Sequence, residues 1–226
     1  DQRGCGHSSR PFDRFSSKNF YANMTQLERT MGIGAQVADI ERIRRLLKQE
    51  KLILLGHSFG AFLATMYGAE FPERVEALVL VLPEHGEGFF EQIRKRLPEP
   101  TQREFDEFLK RYLDFGNLFK QSETELATFN RKAADYFLLA SGESPTSEVD
   151  AENGGWMVQA MYLSMGKRHD YRPALRGIRA PALVLHGADD ILPANMNRQY
   201  VELLPNARLH VFKAGRTRAA GRAGHF

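Results

Sequence analysis

The sequence predicts an α/β fold, a mostly parallel sheet flanked by helices and interrupted by one long helical insertion. Three observations predict it. Lys51 to Phe71 reads as a short apolar strand, a sharp turn and a helix rich in small residues. Val75 to Leu82 is a nearly continuous apolar run, the mark of a strand buried on both faces, so strand, helix and strand make a βαβ unit. After a long stretch without β-branched runs, Ala182 to His186 and Ala207 to Phe212 restore the strand pattern.

The chain opens on Asp1-Gln2-Arg3-Gly4-Cys5-Gly6-His7-Ser8, where Gly4, Gly6 and the following Pro11 forbid a regular element. Ala35 to Lys48 places Val37, Ile40, Ile43 and Leu47 on one helical face, expected to be the buried one. Asp39, Glu41, Arg42 and Arg45 fall on the other faces, with Glu41 one turn before Arg45. Strand and elbow follow, and Pro72 stops the elbow helix. From Pro83 to about Arg176 the composition turns to Glu, Lys, Arg, Phe, Tyr and Met. Helical patterns occur at Phe89–Arg96, Arg103–Phe115, Glu123–Ser141 and Trp156–Met165. The expected organisation is residues 1–82 as the first part of the core, 83–176 as a helical lid insertion and 177–226 as the second part of the core; an independent helical domain is the alternative. A helix over Pro193 to Leu204 leads to the last, alternating strand.

Composition excludes several classes. A chain of 226 residues, 42% apolar and 11% aromatic, can bury one substantial core. The net charge of +3 is mild, and Lys213, Arg216, Arg218 and Arg222 all lie in the final segment, so no nucleic-acid partner is expected. No apolar run approaches the roughly 18 residues of a membrane span. Cys5 is the single cysteine, which precludes an intrachain disulfide and suits a reducing, cytoplasmic setting. There is no cysteine or histidine cluster of metal-binding spacing and no G-x-G-x-x-G after a strand, so neither metal nor any other cofactor is expected.

The chemistry concentrates at Gly56-His57-Ser58-Phe59-Gly60. A serine hydroxyl is a weak nucleophile at neutral pH and must be pushed toward a base. A strained strand-to-helix turn does this, glycines at its ends relieve crowding, and the N–H of Phe59 at the helix start is a natural oxyanion donor. Strand ends elsewhere supply partners: Asp190 after the strand ending at His186, and His225 after the strand ending at Phe212. The order Ser58, Asp190, His225 suits nucleophile, orienting acid and general base. His57 adjoins the serine but should point away from it; His186 and His210 lie on strands.

These stretches resemble the proline iminopeptidase (prolyl aminopeptidase) type of α/β-hydrolase. Asp1-Gln2-Arg3-Gly4-Cys5-Gly6-His7-Ser8 resembles that family's D-Q-R-G-x-G-x-S loop, and Gly56 to Gly60 its elbow. His186-Gly187-Ala188-Asp189-Asp190 resembles its acid loop, which puts the acid three residues after the glycine, at Asp190 and not Asp189. Ala223-Gly224-His225-Phe226 resembles its histidine loop. The resemblance implies an α/β-hydrolase fold with a lid and a serine hydrolase releasing N-terminal proline or a small residue from peptides. An esterase or C–C-bond hydrolase on a small acyl substrate, and a non-catalytic fragment, are the alternatives. A serine at the elbow speaks against epoxide hydrolases and haloalkane dehalogenases, which carry aspartate there. An aminopeptidase needs a carboxylate for the substrate ammonium, expected from Glu148, Asp150 or, by choice, Glu152, with Trp156 as the wall for a proline ring. The family's first strands and H-G-G-P-G loop stand ahead of its D-Q-R-G motif, whereas this sequence begins at Asp1. The expectation is a sheet in which the strand carrying Ser58 lies at an edge, and a weak catalyst, with His225 on a Gly- and Ala-rich segment.

Overall fold

The computed structural model describes residues 1–81, 88–112, 114, 116–145, 154–165 and 170–213. In chain order its elements are α1 (Phe20–Met31), α2 (Ile33–Leu46), β1 (Leu52–His57), α3 (Phe59–Glu70), β2 (Val75–Val81), α4 (Phe89–Arg96), α5 (Glu99–Tyr112), α6 (Glu123–Ala140), α7 (Gly155–Ser164), α8 (Arg172–Leu175), β3 (Ala182–Gly187), α9 (Arg198–Leu203) and β4 (Ala207–Phe212). The chain divides into two compact units, Asp1–Gln36 with Phe90–His169, and Val37–Phe89 with Asp170–Phe226. Residues 1–36 thus group with the helices of the expected insertion and not with the sheet.

The second unit is built on a four-stranded sheet in the order β1-β2-β3-β4, every pair parallel. Leu54 pairs with Leu78, Leu80 with Val184 and Val184 with Leu209, and this face is buried at Leu78, Leu80 and Val184. Helix α3 packs on β1 and β2. Its sequence is apolar almost all round, and Ala61 to Gly68 are all buried, so the helix is a core element and not an amphipathic cover. Each fully buried leucine there contributes about 1.5–3 kcal/mol. The opposite face of β1 is open: Ile53 is 64% exposed and Leu55 73%. Among the described residues β1 pairs with β2 alone, so it forms an edge of the sheet.

Helix α2 follows the expected burial at Val37 and departs from it toward its C-terminal end. Ile43 and Leu47 are exposed, whereas Glu41 and Arg44 are buried. The reason is a closed polar network. Arg44 donates to both oxygens of Glu41 at 2.8 Å, Arg45 reaches Oε1 at 2.6 Å, and the Tyr67 hydroxyl of α3 donates to Oε2 at 2.9 Å. Arg44 also donates to the carbonyls of Gln49 and Glu50, which ties the end of α2 to the turn before β1. The Arg44 guanidinium holds the Glu41 carboxyl far below the usual carboxylate range, and burial beside that carboxylate pushes the Tyr67 hydroxyl up to about 12. A buried charge is tolerable when paired and hydrogen-bonded in this way.

The first unit is an all-helical cluster in which α7 packs on α1 and α6. Helix α6 begins with a capping box: Ser122 Oγ accepts from Glu125 N at 3.2 Å while Ser122 N donates to Glu125 Oε2 at 2.7 Å. The Glu123 carboxylate in turn receives the N–H groups of Gly155 and Trp156, both at 2.8 Å, which satisfies the start of α7. The opening loop is folded on itself by Gly4 N to Ser9 O, Cys5 N to Gln2 O and Ser8 N to Cys5 O. Arg10 of that loop lies 3.3 Å from Glu123. Phe12, Phe15 and Phe119 gather round Trp156 at ring distances of 4.7–6.1 Å.

Candidate active site

The turn from β1 into α3 carries backbone strain at the serine of the expected elbow. Ser58 has φ 51° and ψ −121°, a left-handed conformation costly for any residue with a Cβ. Its backbone is pinned on both sides: Ser58 N donates to Val81 O at 2.9 Å, and Ser58 O accepts from Ala61 N at 2.9 Å and Phe62 N at 3.2 Å. Gly56 is obligatory, because a Cβ there would lie 2.3 Å from Gly60 O. Gly60 is not: a Cβ there would meet nothing within 4 Å, so the expected crowding exists at one glycine and not at both. Phe59 is the first residue of α3, where a helix directs its N–H groups and positive dipole end outward.

The second candidate group sits beyond β3. Asp190 folds back on Gly187, its own N–H donating to Gly187 O at 3.1 Å and its Oδ2 accepting from Gly187 N at 2.7 Å. Ala188 N binds Phe212 O at 3.0 Å, which fixes the loop to the end of β4. Asp190 is only 3% exposed, while its neighbour Asp189 is exposed. All four strands run parallel, so Ser58 and Asp190 occupy the same end of the sheet, after strands separated by β2 alone.

Three further polar groups at this end were not singled out by sequence reasoning as site residues. His186, on β3, and Asn197, in the short 3₁₀ turn Ala194–Asn197, are both fully enclosed and meet at 2.7 Å, His186 Nδ1 against Asn197 Nδ2. His186 Nδ1 also lies 3.8 Å from Asp190 Oδ2. His57 has its Nε2 buried without a hydrogen-bond partner. Burial pushes both imidazoles down, against the field of Asp190, so both are neutral at neutral pH. The sequence held one signal for Asn197, its place one turn beyond Pro193 in the acid loop.

Of the remaining expected residues, Trp156 alone lies among the described ones. Trp156 belongs to the helical unit and is 0% exposed, its indole N–H donating to Asp13 O at 2.8 Å; its rings are enclosed by phenylalanines and not offered as a wall. Glu148, Asp150, Glu152 and His225 lie outside the described residues. Among the described residues no group of three or more His, Cys, Asp or Glu is placed to hold a metal ion, and no helix is long and apolar enough to cross a membrane.

A family model described as alpha/beta hydrolase fold matches residues 1–217. The chain belongs to the alpha/beta hydrolase fold family. Within it, the chain is 32% identical over 178 residues to abhydrolase domain-containing protein abhd-5.2 of Caenorhabditis elegans, covering 71% of this chain and 37% of that protein. It is 25% identical over 221 residues to a proline iminopeptidase of Lactobacillus delbrueckii subsp. bulgaricus, covering 94% of this chain and 70% of that enzyme. The chain therefore spans little more than a third of one of these relatives and 70% of the other. The crystal structure of a proline iminopeptidase from Mycobacterium smegmatis superposes with a TM-score of 0.58 at 18% identity, covering 97% of this chain and 72% of that one. At that identity the likeness speaks for the fold. The hydrolase-family resemblance and the parallel sheet flanked by helices, both expected from the motifs, stand.

Proposed function

We propose that this chain is a serine hydrolase that removes N-terminal proline or another small residue from short peptides. The observation that supports it most is Ser58 at φ 51° on the β1–α3 turn, at the same sheet end as the buried Asp190. Ser58 Oγ attacks the scissile carbonyl carbon, and His225 accepts its proton. The C–N bond then breaks, the leaving amine takes that proton, and water hydrolyses the acyl-enzyme by the same route in reverse. Asp190 orients His225 and stabilises the imidazolium, while the Phe59 N–H receives the oxyanion charge. Glu152 receives the substrate ammonium. No step calls for a cofactor. The similarity to proline iminopeptidases across 94% of the chain supports the substrate class.

A fluorophosphonate probe tests the reaction type and a pair of substrates tests the class. Probe labelling that Ser58→Ala abolishes, with hydrolysis reduced roughly 10³-fold or more, is the expected result. A prolyl amide should be cleaved in preference to an acetyl ester, and Glu152→Gln should reduce selectivity for a free over a blocked amine. Preference for the ester would move the substrate to small acyl compounds. Labelling that survives Ser58→Ala would overturn the assignment.

A further inference from the structure

We propose that the groove between the end of α5 and α6 binds a small phosphate monoester through Arg111 and Lys132. The site lies wholly within the helical unit and does not rest on the hydrolase reading. The groove encloses about 680 Å³, within the roughly 300–1,000 Å³ of small-molecule sites and more than a bare phosphate fills, so the ester carries an organic group. Three parts of the chain build it. Arg111 and Asp114 come from the end of α5 and the residues after it, Asn117 and Lys120 from the next turn, and Thr124 to Lys132 from α6. On α6, Thr124, Thr128 and Lys132 recur every four residues and form one row on a single face. Phe129 ties that helix to α5: Arg111 Cζ lies 5.4 Å from its ring centre and the Tyr112 ring 5.6 Å.

The charges decide the ligand. Among the described residues the ionisable side chains lining the groove are Arg111, Lys120, Lys132, Asp114 and Glu125. Both carboxylates are answered. Glu125 Oε2 accepts from Ser122 N at 2.7 Å, from Ser122 Oγ at 2.8 Å and from Arg14 Nη2 at 3.1 Å, so Arg14 offsets it. Lys120 Nζ donates to Asn117 Oδ1 at 2.6 Å, and Asn117 Nδ2 donates to Asp114 Oδ2 at 2.7 Å, so lysine and aspartate offset each other through one amide. Arg111 and Lys132 meet rings instead, Arg111 at Phe129 and Lys132 Nζ 6.0 Å from the Tyr136 ring centre. Neither has a carboxylate within ion-pair distance among the described residues. A ring contact uses the charge of a cation and none of its N–H donors, so the Arg111 fork and the Lys132 ammonium stay available. Two unanswered cations call for a dianion. A phosphate monoester is one above about pH 6, and its three acceptor oxygens suit a guanidinium fork beside an ammonium. The Thr124 hydroxyl and the Gln121 amide are neutral donors on the same wall. A carboxylate brings one charge and answers only one of the two cations.

The experiment is calorimetric titration of the full chain with phenyl phosphate and with benzoate, at about pH 7.5 and low salt. Phenyl phosphate should bind saturably and at least about 10-fold more tightly than benzoate, and Arg111→Gln and Lys132→Gln should each weaken it about 10-fold. Titration at about pH 5, where the ester holds its second proton, should bring phenyl phosphate down toward benzoate. Lys95→Gln, which removes an exposed ammonium paired with Glu91 on α4, should bind as the parent does. No saturable binding of phenyl phosphate by the parent, equal affinity for the two probes, or unchanged affinity in both groove variants would each overturn the proposal. An equal loss in Lys95→Gln would show attraction to net charge and not to this groove, and would overturn it too. Arg111, Lys132 and Lys95 are all exposed, so the fold should survive, and the emission of Trp156 in the same unit checks that it does. Should a variant lose the native emission, NMR of the parent decides. Phenyl phosphate must shift the backbone amides of Gln121, Thr124 and Thr128; unmoved amides there refute the site.

Discussion

The Tyr67 hydroxyl donates to Glu41 Oε2 across 2.9 Å, joining α3, the helix that follows Ser58, to α2 through a carboxylate that also holds Arg44 and Arg45. The serine turn is therefore braced from behind by a polar network and not by an apolar helix face alone.

Cutting that network at different points should cost different amounts. Tyr67→Phe removes one donor from a carboxylate that keeps two others, and should lower unfolding free energy by about 1–2 kcal/mol. Glu41→Ala leaves the Arg44 guanidinium without its carboxylate, with only the Gln49 and Glu50 carbonyls as acceptors, and should cost more than Tyr67→Phe. The sign with pH follows from the lowered carboxyl of Glu41. Its contribution is complete above about pH 4.5, the unfolded value, and is lost as acid takes the pH down toward the folded one. Urea denaturation at neutral and acidic pH measures all three; equal midpoints for Glu41→Ala and the parent would contradict the account.

The two glycines of the elbow should behave oppositely. Gly56→Ala drives a methyl to 2.3 Å from Gly60 O, and since both atoms belong to backbone the turn must open. Loss of probe labelling and a much lower melting temperature are expected. Gly60→Ala enters open space at the start of a helix and should be neutral to stabilising by about 0.5–1 kcal/mol. Thermal melts of the two variants side by side settle the contrast.

Ser58→Gly should make the protein more stable and chemically inert at once. Releasing a Cβ from φ 51° recovers strain of about 1–3 kcal/mol, partly offset by the extra freedom of glycine in the unfolded chain. A net gain near 1 kcal/mol by urea titration, with no labelling, is the expected pair of results. A destabilised Ser58→Gly would show that the turn is not strained at this residue.

Trp156, the single tryptophan, reports on the helical unit. Fully enclosed, it should emit at short wavelength in the native chain and shift to the red when that unit opens. Glu123→Ala deprives the N–H groups of Gly155 and Trp156 of their acceptors and should bring that shift to lower urea, with a cost of about 1–3 kcal/mol. An unmoved transition would mean that water replaces the carboxylate without loss.

Much of the sheet unit was legible because its signals are local. The run into Gly56 and the small-residue helix after Ser58 specify strand, turn and helix within one short window, and β4 occupies the expected residues. Helix α2 was legible as a helix, but its facing only at Val37. An apolar stripe at Ile43 and Leu47 lost to a network whose partner Tyr67 lies far along the chain, which periodicity cannot register. Helix α1 escaped notice because its buried stripe of Asn23, Leu27 and Met31 starts with an amide, whose Nδ2 donates to Ser17 O. The helix expected over Pro193 to Leu204 is a 3₁₀ turn followed by α9, and the turn places Asn197 against His186. The grouping of residues 1–36 with the helical segment turns on contacts such as Trp156 to Asp13, for which no motif exists.

Among the described residues, the strand that leads into Ser58 is also the one with an unpaired edge, where Ile53 and Leu55 are exposed. Open peptide groups next to apolar side chains recruit foreign strands. The candidate nucleophile and the strand most open to association then belong to one element. Labelling of Ser58 by a fluorophosphonate probe should therefore fall faster on standing in concentrated than in dilute samples, because association through a strand edge is an encounter between molecules.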